Sequence, residues 1–217
     1  MKKDFTIKAV LFDIDGVLLD SLEANLKFVQ TILASAGYPK PNKKEFAKVF
    51  HLSLIDALRH FAKPTLVEEL ERIHELVPAI PYPMELLKEP LGVNDALKEI
   101  SKSYQLGIVS SRRKLGIERY FTFSTLESYF NTYVGYEDTK NHKPHPEPLL
   151  LAAKRLCLEP KECVYIGDSH TDMEAGHAAR MQTILFGGEK HALANARTDS
   201  FKKIPVLIAR LETSMLE

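Results

Sequence analysis

The sequence has few cysteines, no surplus of charge of either sign and no long hydrophobic run. Only Cys157 and Cys163 occur among 217 residues, without the Cys/His spacing of a metal site, so two reduced thiols are predicted rather than a disulfide framework. Lysine plus arginine and aspartate plus glutamate each total 29, which argues against a general nucleic-acid or membrane-surface binder. Because no membrane-length run and no signal-peptide pattern are present, we expect a cytoplasmic protein.

Short apolar runs alternate with segments of helical periodicity. Runs typical of buried strands lie at residues 7–12, 106–109, 163–166 and 183–186, with a weaker one at 133–135. Helical periodicity separates them at residues 93–101, 146–156 and 172–179. This alternation predicts an α/β fold, with a Rossmann-like parallel sheet and helices on both faces.

The stretch between the first two strands contains no convincing strand. Four helices are predicted there, at residues 24–36, 43–50, 54–62 and 66–77. Asp20 and Glu23 have capping-box spacing and are predicted to begin the first of them. We therefore predict an α/β core of residues 1–20 and 88–217 and an inserted all-helical domain of residues 21–87, which would lie as a cap over the carboxyl edge of the sheet.

Two carboxylates, Asp13 and Asp15, directly follow the first apolar run, and Gly16 turns the chain after them. Ligand sites in open α/β sheets lie just beyond the carboxyl ends of the strands. Two neighbouring carboxylates repel each other, which raises the pKa of one of them unless a cation or a basic side chain joins them. The pair therefore predicts a divalent metal ion, a phosphate group or both at this edge.

The other strands are also followed by polar side chains. Hydroxyl groups come after the second predicted strand, a Lys-Pro segment after the weak one, and two further carboxylates after the run at 163–166; these residues are Ser110, Ser111, Lys143, Asp168 and Asp172. Because parallel strands end at one edge, we expect these groups to lie near Asp13 and Asp15.

Four segments follow one another along the chain: Asp-x-Asp-Gly, a strand-end Ser, Lys-Pro and Gly-Asp-x-x-x-Asp. In this order they resemble the four motifs of the haloacid dehalogenase-like (HAD) phosphohydrolase superfamily. The helical insertion resembles the small α-helical cap of its phosphoglycolate phosphatase and β-phosphoglucomutase branch. The resemblance covers about residues 8–186. It implies a Mg²⁺-dependent phosphatase that hydrolyses a small phosphorylated metabolite through an aspartyl-phosphate intermediate.

The resemblance also implies catalytic and phosphate-binding roles. Asp13 would attack phosphorus. Asp15 would protonate the leaving-group oxygen and then deprotonate the water that hydrolyses the intermediate. Ser110, with Ser111 as a secondary candidate, and Lys143 would hold the phosphoryl oxygens and offset their charge.

The metal site is implied in the same way. Mg²⁺ would bind Asp13, Asp168 and the backbone carbonyl of Asp15. Asp172 would orient Lys143 or a metal-bound water. Asp172 also suits the first turn of a helix, where an acidic residue is favoured by the dipole.

Other local interpretations stay open at this point. Ser110 also suits the N-cap of the following helix. Lys140 is the rival of Lys143 for the motif lysine. The run of basic residues at 112–114 is more typical of a solvated helix face than of an anion site. His51 stands in the predicted cap where relatives often carry glycine, which leaves the substrate open.

Other functions compete with the phosphatase. A β-phosphoglucomutase-like phosphotransferase uses the same residues, and we favour hydrolysis because it is the commoner outcome. A catalytically silent binding protein on this scaffold would not need the complete residue set. A phospho-acceptor receiver domain lacks the helical insertion. The expected partner is a small phosphorylated metabolite, with no nucleic acid and no membrane, and the oligomeric state is open.

Overall fold

The structure is a computed structural model that describes residues 6–64 and 67–214. The chain divides into two compact units: one consists of Met1–Leu19 and Glu89–Glu217, and the other of Asp20–Lys88. Within the described residues, no helix combines the length and the apolar composition that crossing a membrane requires.

The first unit is built on one sheet of six strands. In chain order these are β1 Ala9–Phe12, β2 Gln105–Val109, β3 Thr132–Val134, β4 Cys163–Gly167, β5 Gln182–Phe186 and β6 Ala196–Thr198. They lie in the order β3-β2-β1-β4-β5-β6, and every neighbouring pair is parallel. The predicted α/β class with a Rossmann-like parallel sheet is confirmed. The order reverses between β1 and β4, the position beyond which doubly wound sheets bind their ligands.

Nine helices are formed by the described residues. They are α1 Leu22–Ser35, α2 Lys43–Ala47, α3 Leu54–Ala62, α4 Val67–Glu75, α5 Val93–Ile100, α6 Lys114–Ser124, α7 Glu147–Arg155, α8 His170–Ala178 and α9 Ile204–Ser214. Short 3₁₀ turns lie at Val77–Ala79, Met84–Leu86, Glu127–Tyr129, Tyr136–Asp138, Pro160–Glu162 and Phe201–Lys203. Helices α1 to α4 belong to the second unit, and α5 to α9 belong to the first.

The central strands are apolar because they are buried on both faces of the sheet. All four residues of β1 are fully buried, and one core cluster joins β1 and β4 to α7 through Leu149 and to α8 through Ala175. Phe12 at the end of β1 pairs with Ile108 of β2 and with Ile166 of β4. The three strands therefore end together, and the residues that follow them start from the same edge.

The second unit has a hydrophobic core of its own. Phe28 and Ile32 of α1 pack in one cluster with Phe46 of α2, Leu58 of α3 and Ile73 of α4. Helix α2 begins with a capping box in which the Asn42 side chain accepts from the backbone N–H of Glu45 and the Glu45 side chain accepts from that of Asn42. These apolar contacts and caps are what hold short helices in place.

The predicted capping box at the start of α1 is wrong. Ser21 is the N-cap of this helix, and its side chain makes no capping hydrogen bond. Glu23, the residue expected to reach back to Asp20, forms an ion pair with Lys43 of α2 instead. The contact to α2 therefore prevails over the local spacing.

Element bounds differ from the prediction in a few places. Helix α2 ends three residues before its predicted end at residue 50, and residue 66 of the predicted fourth helix lies outside the described residues. Strand β6 and helix α9 were not among the predicted elements, and no range was predicted for α6. Both cysteine thiols are free, as predicted, with Cys157 exposed and Cys163 buried.

Candidate active site

Asp13 is fixed at the carboxyl end of β1. Its backbone N–H donates to the carbonyl of Ile166 at 2.9 Å, which continues the pairing of β1 with β4. The residue is only 8% exposed, and its Oδ1 accepts a hydrogen bond from the backbone N–H of Ile14 at 2.7 Å. The carboxylate is thus held at the switch point of the sheet.

Lys143 reaches Asp13 from the loop before α7. Its Nζ lies 2.9 Å from Asp13 Oδ2, 2.7 Å from Asp172 Oδ1 and 2.9 Å from the hydroxyl of Tyr165. An ammonium group has three N–H donors, and these three acceptors match them. The Lys143 side chain is 4% exposed, whereas Lys140, its rival in the sequence, is exposed. The structure therefore brings Lys143 and not Lys140 to the nucleophile candidate.

Asp172 lies in the first turn of α8 and is fully buried. Its Oδ2 accepts from the backbone N–H and the hydroxyl of the N-cap Ser169, at 3.0 and 2.6 Å, and its Oδ1 accepts from Lys143 and Tyr165. A Cβ on Gly167 would lie 2.3 Å from Asp172 Cβ, so glycine there lets the helix approach the strand end. Asp172 thus serves the helix start and also orients Lys143.

Tyr165 is a member of this network that the sequence analysis missed. It lies inside β4, and its buried hydroxyl is 2.8 Å from Asp172 Oδ1 and 2.9 Å from Lys143 Nζ. Within the apolar run of β4 it has the pattern of an ordinary core aromatic residue. The available signal is that a buried tyrosine hydroxyl needs a polar partner, and this strand leads directly into the acidic motif.

The pKa values of this buried group reflect burial and mutual charge. Burial raises the pKa of Asp13 to about 7, Lys143 opposes this, and Asp172 and Asp15 add to it. Burial lowers the pKa of Lys143, but Asp13 and Asp172 together raise it above its ordinary value. Burial raises the pKa of Asp172, but Lys143 and its other hydrogen-bond donors bring it below its usual range. Lys143 therefore keeps its proton and pairs chiefly with an ionised Asp172.

Asp168 follows β4 and faces the turn after β1. Burial, then Asp172 and Asp13, hold its pKa well above its usual range. Gly16 has a φ of +77°, and a Cβ there would lie 2.0 Å from Asp168 Oδ2. Only glycine permits both this backbone conformation and this close approach.

The acidic cluster fits a divalent cation. Carboxylate oxygens of Asp13, Asp168 and Asp172 lie within 4.8 Å of one another. Asp172 is engaged by four hydrogen bonds, whereas the Asp168 carboxylate accepts none from residues 6–64 and 67–214. Closely spaced oxygen ligands with unbalanced negative charge suit Mg²⁺. The residues present therefore fit this ion, and Asp13 and Asp168 are the carboxylates that could bind it.

The carboxylate of Asp15 is directed elsewhere. Arg112 Nε and Nη2 lie 2.7 Å from Asp15 Oδ2 and Oδ1, a bidentate pair. The interpretation of Arg112 as part of a solvated helix face is wrong, because its side chain is only 11% exposed in this ion pair. The sequence distance of 97 residues gives no local sign of it. The side chain of Asp15 is accordingly not part of the acidic cluster of Asp13, Asp168 and Asp172.

Ser110 and Ser111 lie directly after β2. The backbone N–H of Ser110 donates to the Val134 carbonyl at 3.0 Å, and its buried hydroxyl accepts from the backbone N–H of Arg112 at 3.3 Å. Ser111 is half-buried. The N-cap of α6 is Arg113, so Ser110 does not cap that helix. Their role in binding phosphate stays a prediction.

Comparison with known proteins identifies the family. The sequence profile of haloacid dehalogenase-like hydrolases matches residues 10–186. Pyrophosphatase PpaX of Bacillus cereus is 32% identical over an alignment of 185 residues, and the match covers 82% of this chain and 82% of that protein. The chain therefore belongs to the haloacid dehalogenase-like hydrolase family, as an enzyme of the phosphohydrolase type.

Solved structures agree with this assignment. A subfamily IA hydrolase of this superfamily from Geobacter sulfurreducens is 28% identical, with a TM-score of 0.73 over 93% of this chain and 96% of that one. The β-phosphoglucomutase of Clostridium difficile has a TM-score of 0.81 over 95% and 97% of the two chains. At 23% identity, this second likeness shows a shared fold.

Proposed function

We propose that this enzyme is a Mg²⁺-dependent phosphatase of small phosphorylated compounds, with Asp13 as the nucleophile. The observation that carries the proposal is the buried carboxylate of Asp13 at the end of β1, 2.9 Å from the ammonium of Lys143. A carboxylate that is held in place and faces a cation is a suitable nucleophile for a phosphoryl group. The cytoplasmic location and the cap role of the helical unit stay predictions.

The proposed reaction has two steps. First, an Asp13 carboxylate oxygen forms a bond to phosphorus, the bond from phosphorus to the leaving-group oxygen breaks, and Asp15 gives its proton to that oxygen. Next, Asp15 takes a proton from water, the water oxygen attacks phosphorus, and the bond to Asp13 breaks to release orthophosphate. A single group thus acts as acid in one step and as base in the other.

The surrounding residues support these steps electrostatically. Lys143 offsets negative charge on Asp13 and on the incoming phosphoryl oxygens, and Asp172 and Tyr165 hold it in place. Ser110 and Ser111 are proposed to donate to the same oxygens. Mg²⁺ bound by Asp13 and Asp168 would supply charge that balances the acidic cluster and polarises the phosphoryl group.

A phosphate-release assay tests the proposal. The substrates are inorganic pyrophosphate, 2-phosphoglycolate, sugar phosphates and nucleoside monophosphates, each with Mg²⁺ or with a chelator. Pyrophosphate is included because the relatives at about 32% identity bear the name pyrophosphatase. We expect Mg²⁺-dependent release that Asp13→Asn abolishes and that Asp95→Asn, a change at an exposed position of α5, leaves unchanged. Release of no phosphate from any compound, or full multiple turnover by Asp13→Asn, would contradict the proposal.

The phosphotransferase alternative uses the same residues and is separated by its products. A mutase converts a sugar phosphate into its isomer and keeps the phosphoryl group. Analysis of the sugar products beside the phosphate assay therefore distinguishes the two reactions. We expect free phosphate in an amount equal to the substrate consumed, and isomer formation without phosphate would favour the mutase.

A further inference from the structure

We infer that Tyr136 and His142 are positioning residues for Lys143. The stacking of their two rings holds the turn from which the Lys143 ammonium reaches Asp13. The consequence for turnover rests on the proposed function, whereas the positioning of the lysine does not. The inference therefore concerns how a lysine on a loop is kept in a buried site.

Lys143 lies in a tight turn that begins at His142 and ends at His145. The backbone N–H of His145 donates to the His142 carbonyl at 2.9 Å, which is the hydrogen bond that closes a four-residue turn. The Lys143 side chain is only 4% exposed, and its Nζ lies 2.9 Å from Asp13 Oδ2. Because the side chain leaves the turn at its second residue, its direction depends on how the turn is held.

The first residue of this turn is held through its side chain. The ring centroids of His142 and Tyr136 are 3.9 Å apart, and the ring planes are 19° from parallel. Both residues are half-buried. Contact between two stacked rings favours the backbone arrangement that brings them together. The stack therefore fixes the residue directly before Lys143.

Tyr136 is itself fixed to the sheet. It begins the 3₁₀ turn Tyr136–Asp138 that follows β3, and its backbone N–H donates to the Arg112 carbonyl at 2.8 Å. At the end of this turn, Asp138 Oδ1 lies 2.5 Å from Nη2 of Arg155 in α7. The Tyr136 ring is therefore a fixed support for the ring that stacks on it.

Other contacts hold the remaining positions of the loop. The Glu147 carboxylate accepts from the backbone N–H groups of Lys140 and Asn141, at 3.2 and 3.1 Å. The Glu147 backbone N–H donates to His145 Nδ1 at 3.2 Å. These bonds secure the chain before and after the turn. Loss of the ring stack should therefore loosen Lys143 and leave both ends of the loop in place.

Variants that remove one ring at a time test the inference. Tyr136→Leu and His142→Ala each abolish the stack, and Tyr136→Phe keeps it without the hydroxyl. Tyr104→Leu is the matched control, because Tyr104 is also half-buried but lies just before β2, at the opposite edge of the sheet. Circular dichroism and thermal unfolding establish that each variant is folded.

The first measurement follows Lys143 itself and needs no turnover. The folded protein is treated with formaldehyde and cyanoborohydride, which methylate accessible amines. Peptide mass spectrometry then compares the rate at Lys143 with that at Lys140, which is exposed. In wild type we expect Lys143 to react more slowly than Lys140.

Loss of either ring should make Lys143 more reactive. We expect a gain of roughly 2- to 10-fold in Tyr136→Leu and in His142→Ala, the factor that corresponds to one lost ring stack. Tyr136→Phe and Tyr104→Leu should react at the wild-type rate, and Lys140 should react equally in every protein. An unchanged rate at Lys143 in both ring-removing variants would overturn the inference. An equal gain in Tyr104→Leu would do so too, because it would indicate a general loss of stability.

The double variant Tyr136→Leu/His142→Ala shows whether the two rings act together. Because each ring acts through the other, Lys143 should react no faster in the double variant than in the single ones. A gain equal to the product of the two single gains would mean that the rings act separately. That result would overturn the inference.

Kinetics connect the positioning to the reaction. In the phosphate-release assay, kcat should fall by roughly 2- to 10-fold in Tyr136→Leu and stay at the wild-type value in Tyr136→Phe. Faster methylation of Lys143 without a loss of kcat would overturn its importance for turnover. Faster methylation in a protein whose wild type releases no phosphate would reject the phosphatase and retain the positioning role.

Discussion

Replacing Lys143 with methionine keeps an unbranched side chain, one heavy atom shorter, and removes the ammonium that Asp13, Asp172 and Tyr165 share. The ammonium makes bonds of 2.7 to 2.9 Å to these groups in a side chain that is 4% exposed. Removal of one partner from a buried ion pair costs about 3–5 kcal/mol, because the remaining charge is uncompensated. We expect Lys143→Met to lose this much free energy of unfolding at pH 7.

The loss should depend on pH. Lys143 lowers the pKa of Asp172 in the folded protein, so its stabilising effect is present above the unfolded pKa of an aspartate and disappears as the pH falls through the folded value. The difference between wild type and Lys143→Met should therefore be present at pH 7 and disappear as the pH falls below about 4, the ordinary pKa of an aspartate. Lys143 also lowers the pKa of Asp13, so without it less of the nucleophile is ionised at pH 7 and turnover should fall.

Urea unfolding followed by circular dichroism measures this effect at several pH values. Lys140→Met is the matched control, since the same residue type is removed three positions earlier from an exposed side chain. This control should stay within about 0.5 kcal/mol of wild type. If Lys143→Met were as stable as Lys140→Met at pH 7, the assignment of Lys143 as the central cation of the site would be refuted.

Three further predictions concern the same edge of the sheet. Gly16→Ala and Gly37→Ala both place a Cβ at positive φ, at a cost of about 1–2 kcal/mol, but only the Cβ at position 16 meets Asp168. Only Gly16→Ala should therefore weaken Mg²⁺ binding in calorimetry. Equal Mg²⁺ affinities of the two variants would argue against Asp168 as a ligand. Burial raises the pKa of Asp13 to about 7, so Mg²⁺ affinity should fall by up to about tenfold per pH unit below pH 7 and level off above it. A Mg²⁺ affinity that stays constant from pH 5 to 8 would exclude Asp13 as a ligand. Tyr165→Phe should destabilise the protein by about 1–2 kcal/mol and slow phosphate release, and a change in neither would remove it from the network.

The central sheet could be predicted from the sequence because its strands are buried on both faces and appear as continuous apolar runs. The four runs and the weaker one all correspond to strands of the structure. Strand β6 was missed because Ala196–Thr198 is three residues long and has an exposed arginine at its centre, the pattern of a short edge strand. A run this short carries no periodicity from which to predict it.

The acidic site could be anticipated because its residues directly follow strands that end together. Asp13, Asp168 and Asp172 come close in the structure through the parallel register of β1 and β4, and Lys143 reaches them from the loop before α7. The same rule also covers the pairing of Arg112 with Asp15, because each lies three residues past the end of one of two neighbouring strands, but it was not applied to Arg112. In the sequence, a basic residue before a helix has the pattern of a solvated one.

Capping at the start of α1 shows a further limit of local rules. A capping box is worth about 1 kcal/mol, and a side chain that has a charged partner elsewhere can form that ion pair instead. Glu23 does so by pairing with Lys43 of the next helix. Spacing predicts the capacity for such a bond, and the tertiary contact decides whether it forms.

Trapping of the covalent intermediate tests the role of Asp13 most directly. The protein is mixed with Mg²⁺ and the best substrate, quenched during turnover and treated with borohydride, which reduces an acyl phosphate to an alcohol. Peptide mass spectrometry then locates the reduced side chain. Asp13 is predicted to be the modified residue, with no modification in Asp13→Asn. Reduction at Asp15 or Asp168, or phosphate release with no reduced aspartate, would contradict the account.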